Sequence, residues 1–151
     1  MARYTQEQMA QLAALSSDIM MATLLIDVTD RVGVLREFRN GTKFIEEAKR
    51  AYPQNALIQN MRSGIEESIQ EIQSYSIPQR RAAENSYRTR INEAAHLLVD
   101  DPETKEFKKV LINLAQKVAG AAGHGIFGSG EKVSMAEGEF ILALKRRLGV
   151  A

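Results

Sequence analysis

The chain has 151 residues, of which 44% are hydrophobic and 26% charged, a composition typical of one ordinary globular domain. Its 20 basic side chains balance 19 acidic ones, so no overall field favours nucleic acid or an anionic membrane. The absence of cysteine excludes disulfides, thiolate metal sites and cysteine nucleophiles, and it is typical of a reducing compartment, so we expect a cytoplasmic protein.

A capping box predicts the start of the first helix. The Thr5 hydroxyl and the Gln8 side chain can each bond the backbone amide of the other residue. Apolar residues at helical spacing follow, and we expect this stripe to face a core up to about Val28. The longest apolar run, Ile19 to Ile26, is about half the length that spans a bilayer, so we expect no membrane insertion.

The next two helices are bounded by turn and proline signals. Asn40-Gly41 predicts a turn, after which Thr42 caps a short helix that stops before Pro53. From Asn55 to Tyr75 apolar residues step by threes and fours, which predicts the best amphipathic helix of the chain. The stretch Ser76 to Pro78 ends it, because proline suits the first turn of a following helix.

Three further helices are predicted after that proline. The first runs to about Val99, and Asp100 to Glu103 then supplies a carboxylate cap and a proline that open the next. A second capping box, Ser134 to Glu137, opens a last helix that Gly149 can end. Because no sustained alternation of β-branched residues occurs, we expect an all-α, single-domain bundle of five to six helices covering residues 1–151.

The segment 120–134 is rich in glycine and invites a phosphate-binding interpretation. A phosphate loop, however, needs a lysine where Glu131 stands, and it follows a strand, whereas the residues before this segment are predicted to be helical. Gly120 and Gly123 can end that helix. We therefore interpret the segment as a connection between two helices.

Other constellations give incomplete catalytic or metal sites. Glu93 and His96 have the Glu-x-x-His spacing of di-iron bundles, but the only other histidine, His124, lies in the glycine-rich segment. With two histidines and no cysteine, a nucleophile and base pair is poorly supplied, and no local motif identifies a catalytic serine. Neighbouring acids such as Glu66-Glu67 also suit a solvated helix face.

A cluster of arginines surrounds Tyr87 and could contact phosphates. Glu84 and Glu93 dilute the cluster, and Glu84 can pair with the arginine four residues later. Given the balanced net charge, we expect a solvated face rather than a nucleic-acid surface. The arginines are Arg80, Arg81, Arg88 and Arg90.

A family pattern is present in residues 110–123, "VLINLAQKVAGAAG", and 132–150, "KVSMAEGEFILALKRRLGV". An apolar helix, a turn, a glutamate at Glu137 and a helix closing on Leu148-Gly149 resemble the second half of the TerB-like tellurite-resistance family. That family repeats its acidic motif near the N-terminus, where Asp30 and Glu37 could be the corresponding pair.

The resemblance implies an all-helical, non-enzymatic protein of a tellurite or stress-response system with a binding or scaffold role. It makes Asp30, Glu37 and Glu137 candidate ligands for Ca²⁺ or Mg²⁺, hard cations that prefer oxygen ligands. No other cofactor is expected. The sequence departs from the family at Ala122, which replaces the second aspartate and supplies no oxygen, and at Arg31, which replaces a glycine.

Structural alternatives exist for each candidate ligand. Glu137 is the fourth residue of a capping box, a task that needs no metal, while Asp30 can be a helix-end acid and Glu37 an exposed acid. The whole chain could then be a purely structural interaction module without metal. We expect protein partners or a homo-oligomer, the latter through extra apolar surface of the helix over residues 55–75.

Overall fold

A computed structural model describes residues 3–26, 31–64, 66–120 and 135–150. Seven helices and no strand lie within these ranges, so the all-α prediction is confirmed, with one helix more than the upper expected number. They share one hydrophobic core. The helices are α1 (Gln6–Ile26), α2 (Arg31–Ala51), α3 (Ala56–Gln59), α4 (Glu67–Ser74), α5 (Ile77–Ala95), α6 (Pro102–Gly120) and α7 (Met135–Leu148).

Helix α1 is the centre of the bundle. It packs mainly against α5 and α6 and also contacts α2, α3 and α7. Leu15, Ile19 and Leu24 have no exposed surface. By length and composition α1 could span a membrane, but a core helix passes the same test, and 61% of its apolar window is buried inside the bundle. Its apolar character is thus accounted for by its central position.

Helix α2 continues through the predicted turn at Asn40-Gly41, so that prediction and the cap at Thr42 were wrong. Gly41 lies where α2 meets α1 and α6. A Cβ at this position would lie 2.8 Å from Met20 Cε and 2.8 Å from Val118 Cγ2. The missing side chain lets the three helices approach, and this packing offsets the intrinsic helix penalty of glycine, about 1 kcal/mol.

The single helix predicted over residues 55–75 is two helices, α3 and α4, because the chain between them bonds to α1. The Arg62 amide donates to Ala13 O at 3.0 Å and to Ser16 Oγ at 3.1 Å. Ser16 Oγ in turn donates to Arg62 O at 2.6 Å. These bonds replace the helical ones that the local pattern predicts.

The apolar face predicted over residues 55–75 packs into the hydrophobic core of the same chain. Four of its apolar members are each at most 2% exposed, so among the described residues these four have no surface left for the homodimer contact that we expected on this face. The residues are Ile58, Met61, Ile69 and Ile72.

Several helix ends follow the local signals. The Thr5 amide donates to Gln8 Oε1 at 2.9 Å, and the Gln8 amide donates to Thr5 Oγ1 at 3.1 Å, which confirms the first capping box. Asp101 caps α6 through the Thr104 amide at 2.8 Å. Helix α5 ends at Ala95, earlier than predicted. The second capping box begins at residue 134, outside the described residues.

Candidate functional site

Buried carboxylates are the most unusual chemical feature of the described core. Asp18, Glu37 and Glu137 are 8%, 2% and 4% exposed, respectively. Acidic residues are almost never fully buried unless they are paired, because moving a carboxylate out of water costs several kcal/mol. At each of these three positions, an ionised side chain would therefore carry a desolvation cost that other interactions must offset.

Glu37 and Glu137, the two described members of the predicted ligand set, occupy positions on apolar helix stripes. Glu37 stands on α2 three residues after the buried Val34, so its interpretation as an exposed acid was wrong. Glu137 stands on α7 three residues before the buried Phe140. Neither carboxylate lacks a partner. Asp30 lies outside the described residues.

The described residues do not by themselves complete a cation site. Within residues 3–26, 31–64, 66–120 and 135–150, no three histidine, cysteine or acidic side chains come together. Glu93 and His96 therefore join no metal cluster in this part of the chain. Ca²⁺ takes six to eight oxygens, of which Glu37 and Glu137 could supply a few. Asp30, the third candidate ligand, lies outside these ranges.

Asp18, the third buried carboxylate, faces α5 from the middle of α1. Arg90 Nη1 lies 3.7 Å from Asp18 Oδ1. Burial raises the pKa of Asp18 to about 6, and the positive charges of Arg90 and Arg62 oppose this shift only in part. A carboxyl group of this kind can exchange a proton near neutral pH.

Arg90 also lines two small cavities. One, of about 190 Å³, is lined by Asp18 and Glu93, and the other, of about 230 Å³, by Glu71, Tyr87 and other residues. The Arg90 guanidinium lies 5.1 Å from the centre of the Tyr87 ring. Burial raises the pKa of Tyr87 above its ordinary value, and the phenol, which is protonated at neutral pH in any case, can donate a hydrogen bond.

The burial of Asp18 could have been predicted from the sequence, although not from hydrophobic periodicity alone. In α1 it is the only charged residue after Glu7, and it immediately precedes the apolar run that begins at Ile19. A single acid in the most apolar helix of a chain either is buried or interrupts the buried stripe. The structure shows that it is buried.

Two of the arginines that the sequence gathers around Tyr87, Arg88 and Arg90, contact different helices. Arg88 Nε lies 3.4 Å from Glu84 Oε2, which confirms the pair expected four residues apart. The Arg88 guanidinium lies 4.9 Å from the centre of the Phe140 ring on α7. Arg90 is directed to Asp18 on α1 instead. The two side chains thus belong to different helix interfaces.

The family resemblance rests on the residues quoted above. Residues 110–120 and 135–148 are helical, as the family pattern requires, but helices of this kind occur in many all-α proteins. Comparison of the chain with protein-family models, curated proteins and solved structures found no match.

Proposed function

We propose that this chain is a non-enzymatic, TerB-like helical protein of a cytoplasmic tellurite or stress-response system. It has a binding or scaffold role with protein partners, and a weak divalent-cation site to which Asp30, Glu37 and Glu137 contribute. The observation that supports the cation site is burial. Glu37 and Glu137, the two members of this set that the structure describes, are two of the three buried carboxylates among the described residues.

Both described candidate ligands lie on the apolar stripes of their helices. Glu37 and Glu137 each occupy a position where an apolar residue would contribute about 1.5–3 kcal/mol by burial. A carboxylate there loses that contribution and adds a desolvation cost, which the existing partner of each residue and a bound cation can offset together. Because Ala122 supplies no oxygen, we expect a dissociation constant of about 10⁻⁴–10⁻³ M, as in weak calcium modules.

Thermal unfolding with added CaCl₂ or MgCl₂ tests the cation site. At a cation concentration ten times the dissociation constant, binding stabilises the folded state by about 1.4 kcal/mol. For a domain of this size we expect the melting temperature to rise by about 3–6 °C. Glu37→Gln and Glu137→Gln keep the shape of the side chain but remove its charge, so each should abolish most of this rise.

Exposed acids on the same helices provide matched controls. Glu46→Gln on α2 and Glu139→Gln on α7 should keep the full cation-dependent rise, since both residues are exposed. The rise is measured within each variant, so a general loss of stability does not affect the comparison. A wild-type protein that is indifferent to both cations, by melting and by calorimetry, contradicts the cation site.

The alternative function is a purely structural interaction module without metal. It is favoured by the outer face of α7, where Met135 is 83% and Leu142 is 49% exposed. Gly138 lies between them at helical spacing, with nothing within 4 Å of its Cβ position. A second copy of the chain could pack there, so this face replaces residues 55–75 as the expected dimer contact.

Sedimentation velocity over a concentration series tests this alternative. A dimer should dissociate in Leu142→Glu, whereas Ile77→Glu, at a 65% exposed position on α5, should leave it intact. A protein that stays monomeric at all concentrations rejects the homodimer.

A further inference from the structure

Helices α5 and α7 enclose a small cleft that the proposed cation site does not use. Its volume is about 230 Å³. Three buried apolar side chains, Ile91, Phe140 and Leu144, line its inner part. The small residue Ala143 and three polar residues complete the lining, the polar ones being Arg88, Asn92 and Arg147. The cleft therefore combines an apolar floor with two guanidinium groups and one carboxamide.

Arg88 is held in place before any ligand binds. Its guanidinium lies 4.9 Å from the centre of the Phe140 ring, a distance at which a cation is attracted to the face of an aromatic ring. Its Nε is buried without a hydrogen-bond acceptor, although Glu84 Oε2 lies 3.4 Å away. The ring contact and the nearby Glu84 carboxylate together fix the orientation of the guanidinium.

Arg147 and Asn92 have unused donors beside Arg88. Within the described part of the chain, Arg147 makes no ion pair and the Asn92 carboxamide makes no hydrogen bond. Glu84 offsets the charge of Arg88, so the lining and this acid together carry one excess positive charge. An anion is the ligand class that fits this combination of charge and donors.

We propose that the cleft between α5 and α7 binds the phosphate group of a small phosphomonoester. Guanidinium groups of Arg88 and Arg147 donate paired hydrogen bonds to phosphate oxygens, a geometry in which arginine is preferred over lysine. Asn92 donates a further one, and the organic substituent of the ligand lies on Phe140 and Leu144. Because the cleft is smaller than the 300–1,000 Å³ typical of drug-sized ligands, the ligand is a small metabolite or a single phosphorylated group.

This site is separate from the arginine cluster that the sequence suggests. Only Arg88 of that cluster lines the cleft, and its partner Arg147 lies on α7, 59 positions later in the numbering. Neither helix by itself forms the site.

Isothermal titration of the full chain with phenyl phosphate tests the proposal. We expect saturable binding at low salt, weaker binding of inorganic phosphate, which lacks the apolar substituent, and no binding of phenol, which lacks the anion. Benzoate should bind at least tenfold more weakly than phenyl phosphate. Equal affinity for benzoate overturns the assignment of phosphate, and equal affinity for inorganic phosphate overturns the role of the apolar floor.

Neighbouring arginines on α7 give a matched pair of variants. Arg147→Gln should weaken phenyl phosphate binding by about tenfold, equivalent to 1.4 kcal/mol, whereas Arg146→Gln, at an exposed position outside the lining, should weaken it less than twofold. Both substitutions are at exposed positions, and circular dichroism checks that the fold is kept. Equal losses in the two variants, or no loss in Arg147→Gln, would indicate a diffuse positive surface and overturn the site.

The titration can fail independently of the proposed function. Cation-dependent melting concerns Glu37 and Glu137, neither of which lines the cleft. A negative result in the phosphate titration therefore leaves the cation site untouched, and a negative result in the melting experiment leaves the phosphate site untouched.

Discussion

Asp18 and Arg90 form an ion pair whose two members differ sharply in exposure. Arg90 Nη1 lies 3.7 Å from Asp18 Oδ1, and the side chain of Asp18 is 11% exposed while that of Arg90 is 58% exposed. The acid thus bears most of the desolvation, and the arginine, still largely in water, compensates only in part. The raised pKa of Asp18, about 6, follows from this asymmetry.

The pair predicts a pH dependence of stability. The pKa of Asp18 is 3.8 in the unfolded chain and about 6 in the folded protein. Between these two pH values the folded protein therefore binds more protons than the unfolded chain. The contribution of Asp18 is therefore fully present below pH 3.8 and is lost as the pH rises to about 6. The loss is at most about 3 kcal/mol.

Asp18→Asn isolates this effect from other titrating groups. The difference in unfolding free energy between variant and wild type, measured with urea at pH 4 and pH 7, should shift in favour of the variant at the higher pH. The reason is that only the wild type has a buried carboxylate to ionise. A difference that does not change between the two pH values contradicts the assigned pKa.

Two helical glycines should respond oppositely to alanine. Gly41→Ala places a Cβ 2.8 Å from Met20 Cε, which can move, and from the stiffer Val118 Cγ2. We expect a loss of about 1–3 kcal/mol from overpacking. Gly138→Ala meets nothing within 4 Å and should stabilise the protein by about 0.5–1 kcal/mol. Urea midpoints measure both, and stabilisation by Gly41→Ala would contradict the close approach of three helices.

Asn55 should be the most important helix cap. Its Oδ1 accepts from the Ile58 amide at 3.1 Å, and its Nδ2 donates to Glu103 O at 2.9 Å and Glu106 Oε1 at 3.0 Å. Because Asn55 is buried, Asn55→Ala leaves the buried Ile58 amide without its acceptor and should cost about 2–3 kcal/mol. Ser76→Ala removes an exposed cap and should cost about 1 kcal/mol. Equal losses in chemical denaturation would contradict the added role of the contact with α6.

Ser16 should hold the break between α3 and α4. Ser16→Ala removes both its bonds to Arg62, and we expect a loss of about 1–3 kcal/mol with faster hydrogen exchange at the Arg62 amide. Ser17→Ala removes only a bond within α1, to Ala14 O, and is the control. Unchanged exchange at Arg62 in the first variant would show that Ala13 O alone holds this segment.

Local signals in the sequence predicted the features that depend on neighbouring residues. The Thr5 box and the Asp101 cap were correct because their bonds span three residues. Gly41 was misinterpreted as a turn because its role depends on residues of two other helices. The break at Arg62 depends on Ser16, 46 positions away, which no local pattern contains.

The candidate sites were predicted less completely than the fold. Glu37 and Glu137 were selected by the family resemblance, and their burial adds a physical reason for interest while their ligand role stays a prediction. Asp18 was missed because the apolar stripe was assigned from its hydrophobic members. Arg147 was not selected as a site residue, since its proximity to Arg88 arises from the packing of α7 on α5.

The central position of α1 also affects how the chain is made. The most buried helix is synthesised before α5 and α6, its main neighbours. At 5–20 residues per second, completing the segment up to Gly120 takes roughly 5–20 s after Ile26. During that interval α1 has been made without the helices that cover most of its apolar surface in the folded protein, so this surface completes its native contacts only after α6 has been synthesised.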